Sequence, residues 1–286
     1  MKTILISSRM LLLVATLTFG LTSCNKNNLT EDAESAAAQN LNIAEIEDDN
    51  TQLMADQAEA NGTVSDLRVA STITNSDADI LGGCAVVTKD TLSTPKSITI
   101  DFGTGCTSAN GVVRKGKIIV TYTGRYRDAG TVIHIVSEDY YVNGKKIDID
   151  RTVTNEGENG NGNLVFNIHA ERAVTFADGG TCSSTVDKTR EWIAGDDTPR
   201  DFSDDIFKVN GTGTHTSKRG IVYNATTLTP LIRKVACREF VSGEVKIVRQ
   251  TNSARFAIIN FGTGDCDDEA TVTLDNGRSF TIDLRH

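Results

Sequence analysis

From about residue 64 to the C-terminus, Val, Ile and Thr runs alternate with polar residues and are separated by Asn-Gly and Asp-Gly pairs. That pattern predicts antiparallel strands joined by tight turns, several of them type I′ hairpins whose central residues need φ > 0. The clearest hairpins are Tyr140 to Ile147, turning at Asn143-Gly144, and Thr273 to Phe280, turning at Asn276-Gly277; others are expected at Asn110-Gly111 and Asp178-Gly179. Lys117 to Thr123 and Val132 to Val136 are apolar on both faces for most of their length, so these strands are expected to be covered on both sides or to belong to a sandwich. Glu156 to Asn163, rich in Gly and Asn, reads as a mobile tip.

Before residue 64 the period changes. Ile43, Ile46, Leu53 and Met54 recur at a spacing near 3 to 4, and no Gly or Pro interrupts until Gly62, which predicts a short amphipathic helix over about 42–60. Earlier still, residues 1–23 hold two bases (Lys2, Arg9), no acid and an apolar run from Met10 to Gly20, the layout of an export signal too short for a stable span. The expected organisation is therefore a leader (1–23), an acidic tether with a short helix (24–63) and one all-β domain (64–286).

An internal echo runs through the β region. Cys84, a strand, a turn at Ser93-Thr94-Pro95 and a second strand end in Ile100-Asp101-Phe102-Gly103-Thr104-Gly105-Cys106. Cys237, strand, turn and strand end in Ile259-Asn260-Phe261-Gly262-Thr263-Gly264-Asp265-Cys266. The cysteine separations are 22 and 29 residues. The expected fold class is thus all-β, a large antiparallel sheet or sandwich with a duplicated hairpin unit stapled by disulfides, preceded by a short N-terminal helix. In an oxidising compartment the echo pairs Cys84 with Cys106 and Cys237 with Cys266 and leaves Cys182 as a thiol, although sequence alone leaves other connectivities open.

Charge refines this reading. The chain carries 29 Lys and Arg against 38 Asp and Glu, a formal charge of −9, which argues against nucleic acid as a partner. Nine acids against the single base Lys26 fall within residues 24–62, so the acidity is assigned to a solvated tether.

Little chemistry is visible. Four scattered histidines form no metal motif, the cysteines have no close ligand spacing, and neither a metal nor a cofactor is expected. Asp101-Phe102-Gly103 and Ser93-Thr94-Pro95-Lys96 match catalytic motifs only in spelling, since the accompanying elements are missing. Asp265, Asp267, Asp268 and Glu269 could offer oxygen ligands to Ca²⁺ but read better as an acidic turn. For a sugar platform only Trp192, Tyr126 and one of Tyr140 and Tyr141 come into question, with burial the simpler expectation for Trp192.

Leu21-Thr22-Ser23-Cys24 resembles the bacterial lipobox, which implies acylation of Cys24 and a membrane partner held through its acyl chains. Asn25 after that cysteine favours the outer membrane by the same resemblance. Asp101 to Cys106, Arg114 to Gly124, Arg190-Glu191-Trp192 and Cys237 to Cys266 resemble a group of uncharacterised lipoproteins from the Bacteroidota, over roughly residues 80 to 286. The resemblance implies export and an all-β body and transfers no activity. The expected function is a lipid-anchored, non-catalytic structural or interaction module of the cell envelope, its protein or glycan partner unidentified. The alternatives are a glycan or small-ligand binding β-protein and a hydrolase with dispersed carboxylates, the last requiring two facing acids of divergent pKa in a pocket.

Overall fold

A computed structural model describes residues 26–60 and 80–284, apart from 82, 109, 110, 199, 200 and 238. One helix, α1 (Lys26–Ala60), precedes fourteen strands. These are β1 (Val86–Asp90), β2 (Lys96–Asp101), β3 (Cys106–Thr107), β4 (Val113–Tyr122), β5 (Val132–Val142), β6 (Lys145–Glu158), β7 (Leu164–Thr175) and β8 (Thr181–Ala194), followed by β9 (Ile206–Thr216), β10 (Val222–Lys234), β11 (Glu239–Arg249), β12 (Phe256–Thr263), β13 (Glu269–Leu274) and β14 (Ser279–Asp283).

All fourteen belong to one antiparallel sheet. The strands follow chain order from β1 to β14, with the short β3 lying off that path against β4. Helix α1 meets β2, β6, β7, β8, β13 and β14, strands from both ends and the middle of the order, so the sheet curls around it. Each strand sends alternate side chains inward, as period 2 requires. Ile98 and Ile100, Ile118 and Val120, Ile133 and Ile135, Ile147 and Val153, and Phe166 and Ile168 make the core on that inner face with Met54 of α1.

Of the two expected architectures the chain takes the large antiparallel sheet, and four narrower expectations change. There is one sheet rather than a sandwich: Ile118 and Val120 face α1, while Ile119 and Val136 pair on the outer surface and are half-buried. The helix is already formed at Lys26, well before residue 42, because Glu31 to Gln39 contain no Gly or Pro to break it. Nor is it a solvated spacer with one docking stripe, since between Asn40 and Ala58 every side chain is buried except Glu45 and Asp56, which are half-buried. The Glu156 to Asn163 tip is pinned: the amides of Asn159 and Asn163 both donate to Glu191 Oε1, each at 2.8 Å.

The turns show how far local signals reach. Asn143 and Gly144 have φ of +48° and +80°, the two positive values of a type I′ hairpin. At Gly179 and Gly277 only the glycine is left-handed, with φ of +80° and +82°, and each N–H bonds back three residues, to Phe176 and Leu274. These are three-residue loops that end in a glycine bulge.

The paired cysteines sit as staples beside two hairpins. Cys84 is bonded to Cys106 and Cys237 to Cys266, with Cα separations of 5.5 and 5.4 Å. After β2 the Asp101 carboxylate accepts the Gly103 N–H at 2.7 Å, and within β12 the Asn260 side-chain carbonyl accepts the Gly262 N–H at 2.8 Å. The same side-chain turn therefore occurs at the end of β2 and inside β12, and Phe102 and Phe261 are both buried.

Candidate functional site

Two polar constellations stand out, one on each face of the sheet. The inner one joins α1 to the sheet. Arg151 of β6, Arg172 of β7, Lys188 of β8 and Arg233 of β10 occupy inward positions in phase with apolar neighbours such as Ile149, Val174, Val186 and Leu231. They meet Glu45, Asp48 and Asp49 of α1. Arg151 lies 3.2 Å from Asp48 and 3.4 Å from Asp49, and also donates to the Asp48 carbonyl at 2.9 Å. Arg172 and Lys188 share Glu45 at 2.6 and 2.5 Å, and Arg233 reaches Asp49 at 3.5 Å.

Burial pushes the Glu45 carboxyl up, but the combined pull of Arg172 and Lys188 outweighs it and holds the group at about 2. Asp49 is lowered in the same way by Lys188, Arg233 and Arg151, acting against its own burial. Glu45 and Asp49 therefore stay ionised, and the cluster acts as a clamp that ties the helix to four strands.

The outer constellation is a shallow groove of about 530 Å³ across β6 to β10. Strand register brings it together. His134, Thr152, His169, Asp187, Thr212 and Thr226 form one cross-strand row, and Thr154, Asn167, Thr189 and Asn210 form the next. Except for His134 all of these line the groove. The Asp187 carboxylate accepts a hydrogen bond from His169 Nδ1 at 2.8 Å, and outside the groove Asp150 and His134 Nε2 make a similar pair at 2.8 Å. Among the described residues no hydroxyl is bonded to the His169 imidazole. The groove offers hydroxyls, amides and one His–Asp pair, a surface suited to hydrogen-bonding a polar molecule.

The residues singled out from sequence lie elsewhere. Cys24 falls outside the described residues. Cys182 is a buried free thiol whose pKa is raised, chiefly by burial. Trp192 is buried and donates its indole N–H to Asp205 at 3.1 Å, while Tyr126 stacks on Phe166 with ring centroids 4.7 Å apart. Tyr140 is fully buried and accepts from Arg114 Nε at 3.2 Å. Tyr141 faces outward under the Lys115 ammonium, so no cluster of exposed rings forms.

In the acidic turn at Asp265 to Glu269, Glu269 N–H donates to the Asp267 carboxylate at 3.2 Å and Asp268 N–H to Glu239 of β11 at 2.9 Å; among the described residues no group of three or more His, Cys, Asp or Glu converges as metal ligands. Burial, with Asp56 and Asp204 nearby, pushes Asp205 up to about 8, but this carboxyl is roofed by Trp192 and does not line the groove. Asp196 and Asp197 are exposed. Sequence reasoning missed both constellations. The signal for the inner one was the phase of the bases along their strands; the groove has none short of knowing the register.

No family model matches the chain, and neither the curated proteins nor the solved structures contain a match. Among the described residues no helix is long and apolar enough to cross a membrane.

Proposed function

We propose that this chain is a lipid-anchored protein of the cell envelope, held at the outer membrane through Cys24, that works without catalysis by binding a polar ligand on the outer face of its sheet. The groove of Thr, Asn and the His169–Asp187 pair carries the reading, because it gathers hydrogen-bonding side chains from five strands on one exposed surface. The leader and the lipobox-like Leu21 to Cys24 support the anchor, and the two staples suit an oxidising compartment. The matching side-chain turns after β2 and within β12 support descent of the two stapled hairpins from one duplicated unit, and the likeness to Bacteroidota lipoproteins belongs to the same proposal.

Two measurements test it. Fatty-acid labelling should mark the wild type and not Cys24→Ala, which should also leave the membrane fraction; equal labelling of both refutes the anchor. Native mass spectrometry of the mature protein after incubation with envelope extract should show a small-molecule adduct that Thr189→Trp, which fills the groove, abolishes. An adduct unaffected by that substitution places binding elsewhere.

A further inference from the structure

The ladder between β9 and β10 is interrupted beside the groove. Thr212 pairs with Thr226 and Val209 with Leu231, so Asn210 and Gly211 stand opposite the four residues from Thr227 to Pro230. Gly211 N–H donates to the Thr227 hydroxyl at 3.1 Å. The same stretch of β10 also slips against β11. Leu228, 50% exposed, lies in this stretch.

Behind the interruption lies a cavity of about 60 Å³ between the sheet and α1. Small residues leave it unfilled: Ala38 on the helix, Gly211 and Gly213 on β9 and Ala225 on β10. The two glycines are required, since a Cβ would come within 2.6 Å of the Asp187 and Thr185 carbonyl oxygens. Leu231, Phe240, Val245, Ile259 and Phe261 make apolar walls. Groove and cavity share Lys188, Gly211, Thr212, Thr226 and Thr227, so one layer of chain separates them where the pairing of β9 with β10 is interrupted.

We propose that this seam is a port for a short-chain amphiphile, with a neutral hydrogen-bonding head in the outer groove and a small alkyl group in the cavity. The inference rests on reading the groove as a ligand site. The head is neutral because the Lys188 ammonium is turned inward to Glu45 and Asp187 is held by His169, which leaves hydroxyls and amides to meet it. The tail is short because the cavity holds a few water-sized volumes, and apolar because apolar cavities of this kind stay dry and accept hydrocarbon.

Calorimetric titration of the mature protein with methyl, ethyl, propyl and butyl β-D-glucoside tests the port. Affinity should rise about fourfold per added methylene until the cavity is full. Ala225→Leu, which fills the cavity, should abolish that rise while keeping the methyl glucoside affinity; Ala38→Leu fills it from the helix side should the first variant fold poorly. Equal affinities across the series, or a rise that survives both fillings, overturn the port and leave the groove reading standing. If no glucoside binds, the port falls and the groove as a site for neutral polyols falls with it.

Discussion

Among the described residues Arg151 is the bulkiest side chain withdrawn completely from solvent, and its guanidinium lies against both Asp48 and Asp49. Removing one member of a buried ion cluster leaves its partners desolvated and short of countercharge, which costs far more than an exposed pair is worth. Arg151→Met should lower unfolding stability by about 3 kcal/mol in urea titration. Adding Asp48→Leu should recover part of that loss, whereas additive losses would deny the coupling. Asp205 sets a second residue-scale expectation. Its folded pKa of about 8 lies above the ordinary 3.8, so between those values the folded protein holds a proton that the unfolded chain releases. The contribution of this group therefore falls as pH rises from about 4 to 8. Asn at this position still accepts the Trp192 N–H, so Asp205→Asn should melt at a temperature less sensitive to pH across that range than wild type.

At the scale of elements, the hairpins were the most legible part of the chain and α1 the least. Asn143-Gly144 dictates its own turn because both residues tolerate φ > 0, whatever surrounds them. The helix was readable as a helix from residues 42 to 60, but its role was inverted. Nine acids against one base look like a solvated spacer until the sheet supplies cations from four separate strands. The bases carried a clue in their phase, Arg151 following Ile147 and Ile149 at two-residue steps and Arg172 following Ile168 and Ala170. Polar residues in a strand are ordinarily assigned outward, however, and only an acidic partner in the lumen makes the inward assignment tolerable. The staples act on the hairpins they close. Cys84→Ala with Cys106→Ala should cost about 3 to 4 kcal/mol, since the 22-residue separation frees considerable entropy in the unfolded chain. Calorimetry would show it, and an unchanged melting temperature would mean that the staple adds no stability.

For the whole molecule, helix and sheet are joined by ionic contacts that acid can dissolve. Glu45 sits at about 2 against an ordinary 4.5, so its stabilisation is complete above pH 4.5 and is lost as pH falls toward 2. His215, buried and held at about 4 chiefly by burial and then by Arg172, stays neutral while the unfolded chain takes up a proton below 6.5. Both groups weaken the fold in acid. Chemical unfolding midpoints should therefore begin to drop below pH 6.5 through His215 and go on dropping from pH 4.5 toward 2 through Glu45, and Glu45→Gln, less stable at neutral pH, should show a shallower drop over the lower range. The amino-acid order by itself determined the strand periodicity, the hairpin sites and the helical character of the N-terminal segment, because each depends on residues a few positions apart. The two cysteine pairings followed from an echo within the chain. Only the tertiary structure decided that fourteen strands make one sheet, that the sheet curls around its own acidic helix, and that Thr, Asn and His from five strands share a groove. Those outcomes depend on register, on inward or outward phase across strands far apart in sequence, and on the countercharge that makes buried arginines tolerable.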